Sequence, residues 1–366
     1  MKIVFAGGGT AGHINPALAI AKYIKLQKPD SEILFVGTKK GMESILVPKE
    51  GFDMSFIEVY GLKRKLCVSN IKTFFTMWKS LAQAGAILDS FKPDFVVGTG
   101  GYVSAPVVFS AALRRIPSLI HEQNAFPGLS NKILKLFART VAISFEESRA
   151  YFKGAKNIIL TGNPVRDEFL SENYISARRK LGIPENSIFI LAFGGSLGAE
   201  KFNEVFIDFM IKSGGEFKCT LAAGDRFYSN AVRYFSLRGG DLKNGSTDIR
   251  RYIDDMPVLM NAADLVVCRA GAITVAELLA AGKASVLIPS PNVANNHQEY
   301  NARAAEAAGA AKVITENSLD SDELYRVVLD ITQDRGKLED MCANAKRNYI
   351  GGSAEKITEN ILSIFT

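Results

Sequence analysis

Cysteine, histidine and tryptophan are scarce in this chain, and each scarcity excludes something. Four cysteines among 366 residues (Cys67, Cys219, Cys268 and Cys342) stand far apart with no CxxC pair. That argues against a disulfide framework or a zinc site and suits a reducing compartment. No apolar run approaches the ~18 residues that a membrane-spanning helix needs. The apolar start, Lys2–Ala6, is too short, too close to glycine and without a small-residue cleavage site, so it does not read as a signal peptide. The expectation is a soluble or peripheral protein. Neither charge sign dominates: 44 Lys+Arg against 38 Asp+Glu leaves +6, and 47% hydrophobic with 22% charged residues excludes a disordered polyelectrolyte. A slightly basic balance is only a weak pointer to an anionic partner. The KRK cluster Lys63-Arg64-Lys65 has no RNP, KH or helix-turn-helix companion, so no nucleic acid is expected.

What is present is one repeated grammar of short apolar strand, glycine loop and helix. Lys2–Ala6 runs into Gly7-Gly8-Gly9-Thr10-Ala11-Gly12-His13 and an Ala/Leu/Ile-rich helix. Ile33–Val36, Asp94–Val97 (before Gly98-Thr99-Gly100-Gly101), Ser118–Ile120 and Thr140–Ile143 read as further strands. The pattern restarts at Ile188–Phe193, with Gly194-Gly195-Ser196-Leu197-Gly198-Ala199 and a helix over 201–212. Strands at 218–223, 264–268 and 284–288 follow, with helices at 274–281 and 300–308. Apolar runs without alternation, separated by helices, predict parallel sheets covered on both faces. The fold class is therefore α/β, as two Rossmann-like parallel-sheet domains, 1–163 and 164–349, divided near Thr161-Gly162-Asn163-Pro164. The last helix, over 353–365, has a pattern that suits either half.

A glycine loop between strand and helix lets backbone approach a phosphate while amide N–H groups point at it. Neither loop is followed about 20 residues later by an acidic residue at a strand end, since Val36 leads into Gly37-Thr38, and GxxxxGK[ST] is absent. The dinucleotide and P-loop readings lose ground; tight turns packing helices on sheets remain the plain alternative. The three histidines sharpen the picture. His13 closes the first loop, His121 follows the strand 118–120, and His297 follows the strand ending at Pro289. All lie at predicted carboxyl ends of parallel strands, where open α/β sheets bind ligands. They come from separate loops, so no metal is expected. In Cys268-Arg269-Ala270-Gly271-Ala272-Ile273-Thr274-Val275-Ala276-Glu277 a buried strand meets a small-residue turn and a helix N-terminus suited to a diphosphate. Glu277, one turn in, would accept from a ribose diol; complementing the helix dipole is its plainer role.

Ile71, Phe74, Phe75, Trp78 and Leu81 fall at helical spacing beside lysines, just after the KRK cluster. This is the composition of an interfacial helix on an anionic membrane surface, or of an amphipathic helix facing its own core.

GGGTAGHINPALA, GGYVSAP, HEQNAFPG, TGNPVR, GGSLGA, YIDDM, CRAGAITVAELLAAG and HQEYNA, in this order, resemble the peptidoglycan N-acetylglucosaminyltransferases of the GT-B class, glycosyltransferase family 28. The resemblance covers nearly the whole chain. It implies an acceptor half first and a nucleotide-sugar half second, facing a cleft, with the C-terminal helix 350–366 returning to the first. It implies transfer of GlcNAc from UDP-GlcNAc to the muramyl C4 hydroxyl of undecaprenyl-pyrophosphoryl-MurNAc-pentapeptide (lipid I), with inversion, forming lipid II. It also implies peripheral association with the cytoplasmic face of the bacterial plasma membrane, with other cell-wall synthesis or division proteins as candidate partners.

Position by position, the resemblance puts Ser196 near the diphosphate, Arg166 on the nucleotide side and the Ile253 backbone on uracil. Ala272, Ile273, Thr274, Val275, Ala276 and Glu277 would hold phosphates and ribose, and Gln298 the GlcNAc hydroxyls. Thr10, Ala11, Gly12 and Asn124 would also face UDP-GlcNAc. His13 is the leading candidate base for the C4 hydroxyl, with Tyr102, His121 and Glu122 on the acceptor side, sharing or assisting that role. Ala11 stands where many relatives have glycine, and the flanks of HQEYNA vary, which leaves His297 and Glu299 beside Gln298. A neutral imidazole suits proton removal near neutral pH. Helix N-termini with Arg269 or Arg166 would stabilise departing UDP without a cofactor. Asp254-Asp255 matches the YIDDM turn rather than the DxD of metal-using transferases, so metal-independent chemistry is expected. The competing readings are another GT-B enzyme, such as a glycolipid synthase or a UDP-GlcNAc 2-epimerase, and a non-catalytic nucleotide-sugar binding scaffold.

Overall fold

A computed structural model of the chain describes residues 1–59, 69–195, 198–242 and 245–365, and side chains outside 69–77. The chain divides into two compact units, Met1–Pro164 with Ile350–Thr366, and Val165–Tyr349.

In the first unit the strands β1 (Lys2–Gly7), β2 (Glu32–Gly37), β3 (Asp53–Phe56), β4 (Phe95–Gly100), β5 (Ser118–Glu122), β6 (Thr140–Ile143) and β7 (Ile158–Leu160) form one sheet. Among the described residues it has seven strands in the order β3-β2-β1-β4-β5-β6-β7, every pairing parallel. Strand order reverses between β1 and β4, so the sheet has its topological switch point at their carboxyl ends. Alternate residues of β1 feed two cores. Ile3 and Phe5 pack with Ile14, Leu18 and Ile24 of the helix α1 (Ala11–Gln27). Val4 and Ala6 pack with Ala84 and Leu88 of α3 (Ser69–Phe91) and Val103 and Val107 of α4 (Gly101–Leu113). A strand buried on both faces is why the run reads as continuous apolar sequence. Between them, α2 (Glu43–Lys49) follows β2, and α5 (Leu129–Leu134) follows β5.

The second unit carries α6 (Glu168–Ser171), α7 (Tyr174–Leu181), β8 (Phe189–Phe193), α8 (Glu200–Lys212), β9 (Lys218–Ala222), α9 (Tyr228–Leu237), β10 (Thr247–Arg250) and α10 (Met256–Ala262). It continues with β11 (Leu265–Cys268), α11 (Ala272–Ala281), β12 (Ala284–Leu287), α12 (His297–Ala307), β13 (Ala311–Val313), α13 (Ser321–Thr332) and α14 (Arg335–Asn348). Among the described residues its sheet has six parallel strands in the order β10-β9-β8-β11-β12-β13, with the switch point between β8 and β11. Ile190 and Ala192 of β8 pack against Phe202, Phe206 and Phe209 of α8 and Leu324 and Val328 of α13.

The final helix, α15 (Ser353–Leu362), belongs to the first unit. Ile357 and Ile361 join the α1 core fully buried, worth roughly 2 kcal/mol each in removed apolar surface. Ser353 Oγ donates to the Gly162 carbonyl at 2.8 Å.

Two strands run further than spacing predicts. β4 continues through Gly98-Thr99-Gly100, expected as a loop, and α4 starts at Gly101 without a break. β5 includes His121 and Glu122, which pair with Ala142 and Ile143 of β6. Both extensions come from parallel pairing with a neighbouring strand, which local sequence does not encode. His121 is therefore a strand residue with a buried side chain, not a loop residue beyond the strand. α12 likewise begins at His297, three residues before its expected start.

Candidate active site

In the first unit the switch point is stitched together around His13. Thr99 Oγ1 donates to the His13 carbonyl at 2.7 Å, tying the end of β4 to the first turn of α1. Gly100 (φ 103°) lies under the imidazole: a Cβ there would stand 2.8 Å from His13 Nδ1. Gln123 Oε1 sits 3.1 Å from that same nitrogen. Tyr102, in the first turn of α4, lies beside Gly9, where an added Cβ would come within 3.0 Å of its ring.

Thr10 is the extended N-cap of α1 and, among the described residues, no side chain caps that helix. The amides of Ala11 and Gly12 are thus end-of-helix donors. The rest of the loop is less available than a glycine loop suggests. Buried Glu43 takes the Gly9 N–H at 3.1 Å, with Thr38 N at 3.0 Å and Thr38 Oγ1 at 2.8 Å. Its carboxylate fixes the loop from behind and removes one amide from phosphate binding.

His121 is fully buried. Its Nε2 lies 3.2 Å from the Gly162 carbonyl and 3.0 Å from Ser144 Oγ, and burial, reinforced by His13, pushes its pKa down to about 4. It holds structure as a neutral ring. Glu122 is buried too, and its two oxygens accept from Asn124 N (3.0 Å) and Nδ2 (3.1 Å), Gly128 N (3.1 Å) and Asn131 Nδ2 (2.9 Å). With four donors on it, this carboxylate organises the turn from 123 to 131, Asn124 included, rather than standing ready to take a proton.

In the second unit the corresponding point is the N-terminus of α11. Gly271 is its extended N-cap and brings no side chain, and its first turn holds no acid. The end therefore presents the positive pole of the helix. Ala272, Val275 and Ala276 are buried, while Ile273, Thr274 and Glu277 are partly open. Burial raises the Glu277 carboxyl to about 7, opposed by the charge of Arg166. Arg166 is exposed and lies over the Phe169 ring, 5.1 Å from its centroid. Gln298 Oε1 accepts from Ser290 N at 2.8 Å, which turns its amide NH2 to the opposite side. Asn301 Nδ2 donates to the Ala270 carbonyl at 3.2 Å, tying α12 to the turn that starts α11. Gly198 (φ 72°) passes so close to the Ala223 carbonyl that a Cβ would approach to 2.4 Å. Ser196 and the cluster Lys63-Arg64-Lys65 lie outside the described residues, as do the side chains of Ile71, Phe74 and Phe75. Ile253 is buried, consistent with contact through its backbone alone.

Arg269 departs from expectation. Its guanidinium is buried against Glu316 and donates to the carbonyls of Ile288 (3.1 Å) and Pro289 (3.4 Å). Its charge is paired with Glu316 and its Nη1 is spent on that carboxylate and on the carbonyls just after β12, whereas Arg166 is exposed. The chain also contains an Asp-x-Asp, Asp320-Ser321-Asp322, that the sequence reading overlooked. It caps α13 through Asp320 Oδ1 accepting Glu323 N at 2.8 Å, and Asp322 pairs with Lys212. Gln123, Thr99, Glu43 and Glu316 are the other site residues that pattern reading did not single out.

Each unit carries its own candidate site at its switch point, a helix N-terminus beside a raised carboxyl in the second and a half-buried histidine in the first, on a doubled Rossmann-like fold. Residues 3–143 match the glycosyltransferase family 28 N-terminal domain and residues 189–357 its C-terminal domain. The chain belongs to glycosyltransferase family 28. It is 49% identical over its full length, and over 98% of the relative's, to the UDP-N-acetylglucosamine--N-acetylmuramyl-(pentapeptide) pyrophosphoryl-undecaprenol N-acetylglucosamine transferase of Acetivibrio thermocellus. It is 46% identical to the Thermoanaerobacter sp. protein of the same name, each covered over 100%. Among solved structures it is similar to Acinetobacter baumannii MurG, with a TM-score of 0.79 and 27% identity over 99% of both chains.

Proposed function

We propose that this chain moves GlcNAc from UDP-GlcNAc to the C4 hydroxyl of the muramyl sugar of lipid I, forming lipid II in a single inverting displacement. The observation that carries the reading is full-length identity of 49% to a transferase named for that donor and acceptor, over 98% of the relative's length. The local geometry agrees. The second unit offers the α11 N-terminus to the diphosphate, Glu277 to the ribose hydroxyls, Arg166 to the leaving charge and Gln298 to the GlcNAc hydroxyls. The first unit offers His13 as base, with Ala11 and Gly12 amides and Tyr102 beside it. In the reaction the C4–OH proton passes to His13, the oxygen bonds to the anomeric carbon, and the bond to the β-phosphate oxygen breaks with its electron pair leaving on UDP.

The first unit also supports docking at the cytoplasmic membrane face. No helix of the described residues is long and apolar enough to cross a bilayer. Trp78 is 62% exposed on α3, and Leu113, Leu129, Ile133 and Leu136 stand exposed on α4, α5 and the turn that follows. Basic Arg115 and Arg139 are exposed nearby in sequence, and Lys132 lies 3.6 Å over the Phe126 ring. Large apolar side chains ringed by cations suit an anionic lipid surface.

Transfer of labelled GlcNAc from UDP-GlcNAc to a lipid I analogue tests the reading. Product with lipid I, none with diacylglycerol, and no epimerised nucleotide sugar from UDP-GlcNAc alone are expected. His13→Ala should lower turnover by ~10²-fold or more with donor binding kept. Absence of lipid-linked disaccharide would overturn the proposal.

A further inference from the structure

We infer that Gln123 is a positioning residue that dictates which nitrogen of His13 takes the substrate proton, and that His121, buried behind it, locks Gln123 in the required orientation. The inference rests on the reading of His13 as base.

The assignment follows from atoms that can only accept. Gln123 Nε2 lies 2.8 Å from the Thr99 carbonyl and 3.2 Å from the His121 carbonyl. A carbonyl oxygen cannot face another oxygen at that distance, so the atom there must be the amide nitrogen. The amide oxygen then faces His13 Nδ1 at 3.1 Å, and since it only accepts, Nδ1 must carry the hydrogen. Neutral His13 is left with a bare Nε2, on the ring edge away from Gln123 and from the backbone of Gly100.

The far side of the amide gives an independent check. The same NH2 group lies 3.1 Å from His121 Nδ1, which must therefore accept. That places the His121 hydrogen on Nε2, and the atoms facing Nε2 are the Gly162 carbonyl at 3.2 Å and Ser144 Oγ at 3.0 Å. Ser144 spends its own hydrogen on Asn163 Oδ1 at 2.9 Å, and Asn163 Nδ2 donates back to the Gln123 carbonyl at 2.9 Å. Five groups are satisfied by one arrangement of hydrogens. Flipping the amide would break at least three contacts at once, leaving buried polar atoms unpaired.

The consequence for transfer is specific. When the C4–OH proton moves to Nε2, His13 becomes a cation that still donates Nδ1–H to Gln123, which stabilises it by a charge-assisted bond from a neutral acceptor. The proton goes no further. His121 is held neutral by burial and by the charge on His13, so the chain of amide and imidazole ends there. Unlike a carboxylate in the same place, an amide orients the base without fixing a negative charge next to the site.

Three histidines make the test tractable. In the full-length protein labelled with 15N-histidine, long-range 1H–15N spectra above the imidazole titration should show His13 protonated on Nδ1 and bare on Nε2, its signals identified by their loss in His13→Ala. Gln123→Met, which keeps length but removes the acceptor, should let His13 revert to the Nε2–H tautomer. It should lower kcat by at least about tenfold with the KM for UDP-GlcNAc unchanged, less than the ~10⁴-fold lost when a charged orienter is removed from a triad. Gln123→Glu, as a buried neutral acid, still accepts from Nδ1–H and donates to Thr99, so it should keep the wild-type tautomer and most of kcat. A wild-type His13 protonated on Nε2, which needs no variant to detect, overturns the inference. So does a Gln123→Met spectrum and kcat equal to wild type. If the tautomer switches while kcat stays constant, the positioning holds and the reading of His13 as base is what fails.

Discussion

Glu277→Gln separates what the second unit gives up in stability from what it gains in binding. The Glu277 carboxyl has an ordinary value of 4.5 and stands at about 7 in the fold, because burial disfavours its ionised form. The folded state therefore binds this proton more tightly than the unfolded state does. The associated stability is fully present below the unfolded value, and it is lost as pH rises through about 7. At ~1.36 kcal/mol per pH unit, the gap amounts to about 3 kcal/mol, reduced toward 2 because the carboxylate keeps some contact with water. A glutamine cannot ionise and escapes this cost. By calorimetry without ligand at pH 8, Glu277→Gln should raise the Tm of the second unit by roughly 5 °C, at 2–4 °C per kcal/mol for a unit of this size. The gain should vanish near pH 4.5, where the carboxyl is neutral anyway. Titration calorimetry with UDP-GlcNAc should show the opposite sign. Hydrogen bonds from ribose hydroxyls to a charged acceptor contribute about 1.5–3 kcal/mol, so the variant should bind about 10–100-fold more weakly at pH 8. Wild-type affinity should fall up to about tenfold per pH unit below 7, because binding must strip a proton, while the variant's should stay flat. A variant neither stabilised at pH 8 nor weakened toward UDP-GlcNAc would refute both halves; equal affinity alone would remove Glu277 from the ribose.

Other perturbations test the remaining parts. Gly100→Ala forces a side chain onto a φ of 103° and a Cβ to 2.8 Å from His13 Nδ1, so it should cut kcat sharply while UDP-GlcNAc affinity is kept; normal turnover would detach Gly100 from the base. His121 works in the opposite sense to Glu277. Its pKa is depressed from 6.5 to about 4, so its stability contribution is present above 6.5 and lost as pH falls toward 4, by about 3 kcal/mol. Urea unfolding of the first unit should show this acid loss, and His121→Asn should flatten it; an unchanged slope would contradict the buried neutral ring. Trp78→Glu with Ile133→Glu should release the protein from anionic vesicles in a sedimentation assay, and unchanged binding would exclude that face. Treatment with EDTA should leave transfer intact if helix ends and Arg166 hold the leaving charge as proposed; loss of turnover restored by magnesium would overturn that expectation.

The parts of this architecture legible in sequence are those with local causes. β1 and β8 were readable because a strand covered on both faces must be apolar at every position, and a glycine loop must follow where a helix end turns back tightly. The extra length of β4 and β5 was not, because pairing such as His121 with Ala142 depends on a neighbour that only the folded sheet supplies. The site divides the same way. His13, Glu277 and the α11 end stand out as candidates from their place after strands. Their partners were not: Glu43 is 34 residues from Gly9, Glu316 is 47 from Arg269, and Gln123 is 110 from His13. A carboxylate or amide on an unrelated segment has no periodicity that marks it as a partner. Arg269 shows the cost: an arginine in a phosphate-like turn reads as an anion ligand until its own carboxylate is found.

Those distant partners also set the α1 and α11 helix ends apart. A helix end attracts an anion through its unpaired amides and its positive pole. At α1 a buried carboxylate, Glu43, takes the Gly9 amide and sets a negative charge behind the loop, which offsets part of that attraction. At α11 the first turn holds no acid, the N-cap Gly271 brings no side chain, and Glu277, further along the helix, is only about half ionised near pH 7. On these electrostatic grounds the second end suits the nucleotide diphosphate of the proposed reaction better than the first. The first end suits the proposed proton transfer: Thr99 holds the His13 backbone, Gln123 meets its ring, Gly100 leaves space beneath it, and two amides face outward. Glu43→Gln would test the contrast. Removing that charge should strengthen the hold of the first unit on inorganic pyrophosphate and leave UDP-GlcNAc affinity unchanged, and a shift in the nucleotide affinity instead would reverse the assignment of the two helix ends.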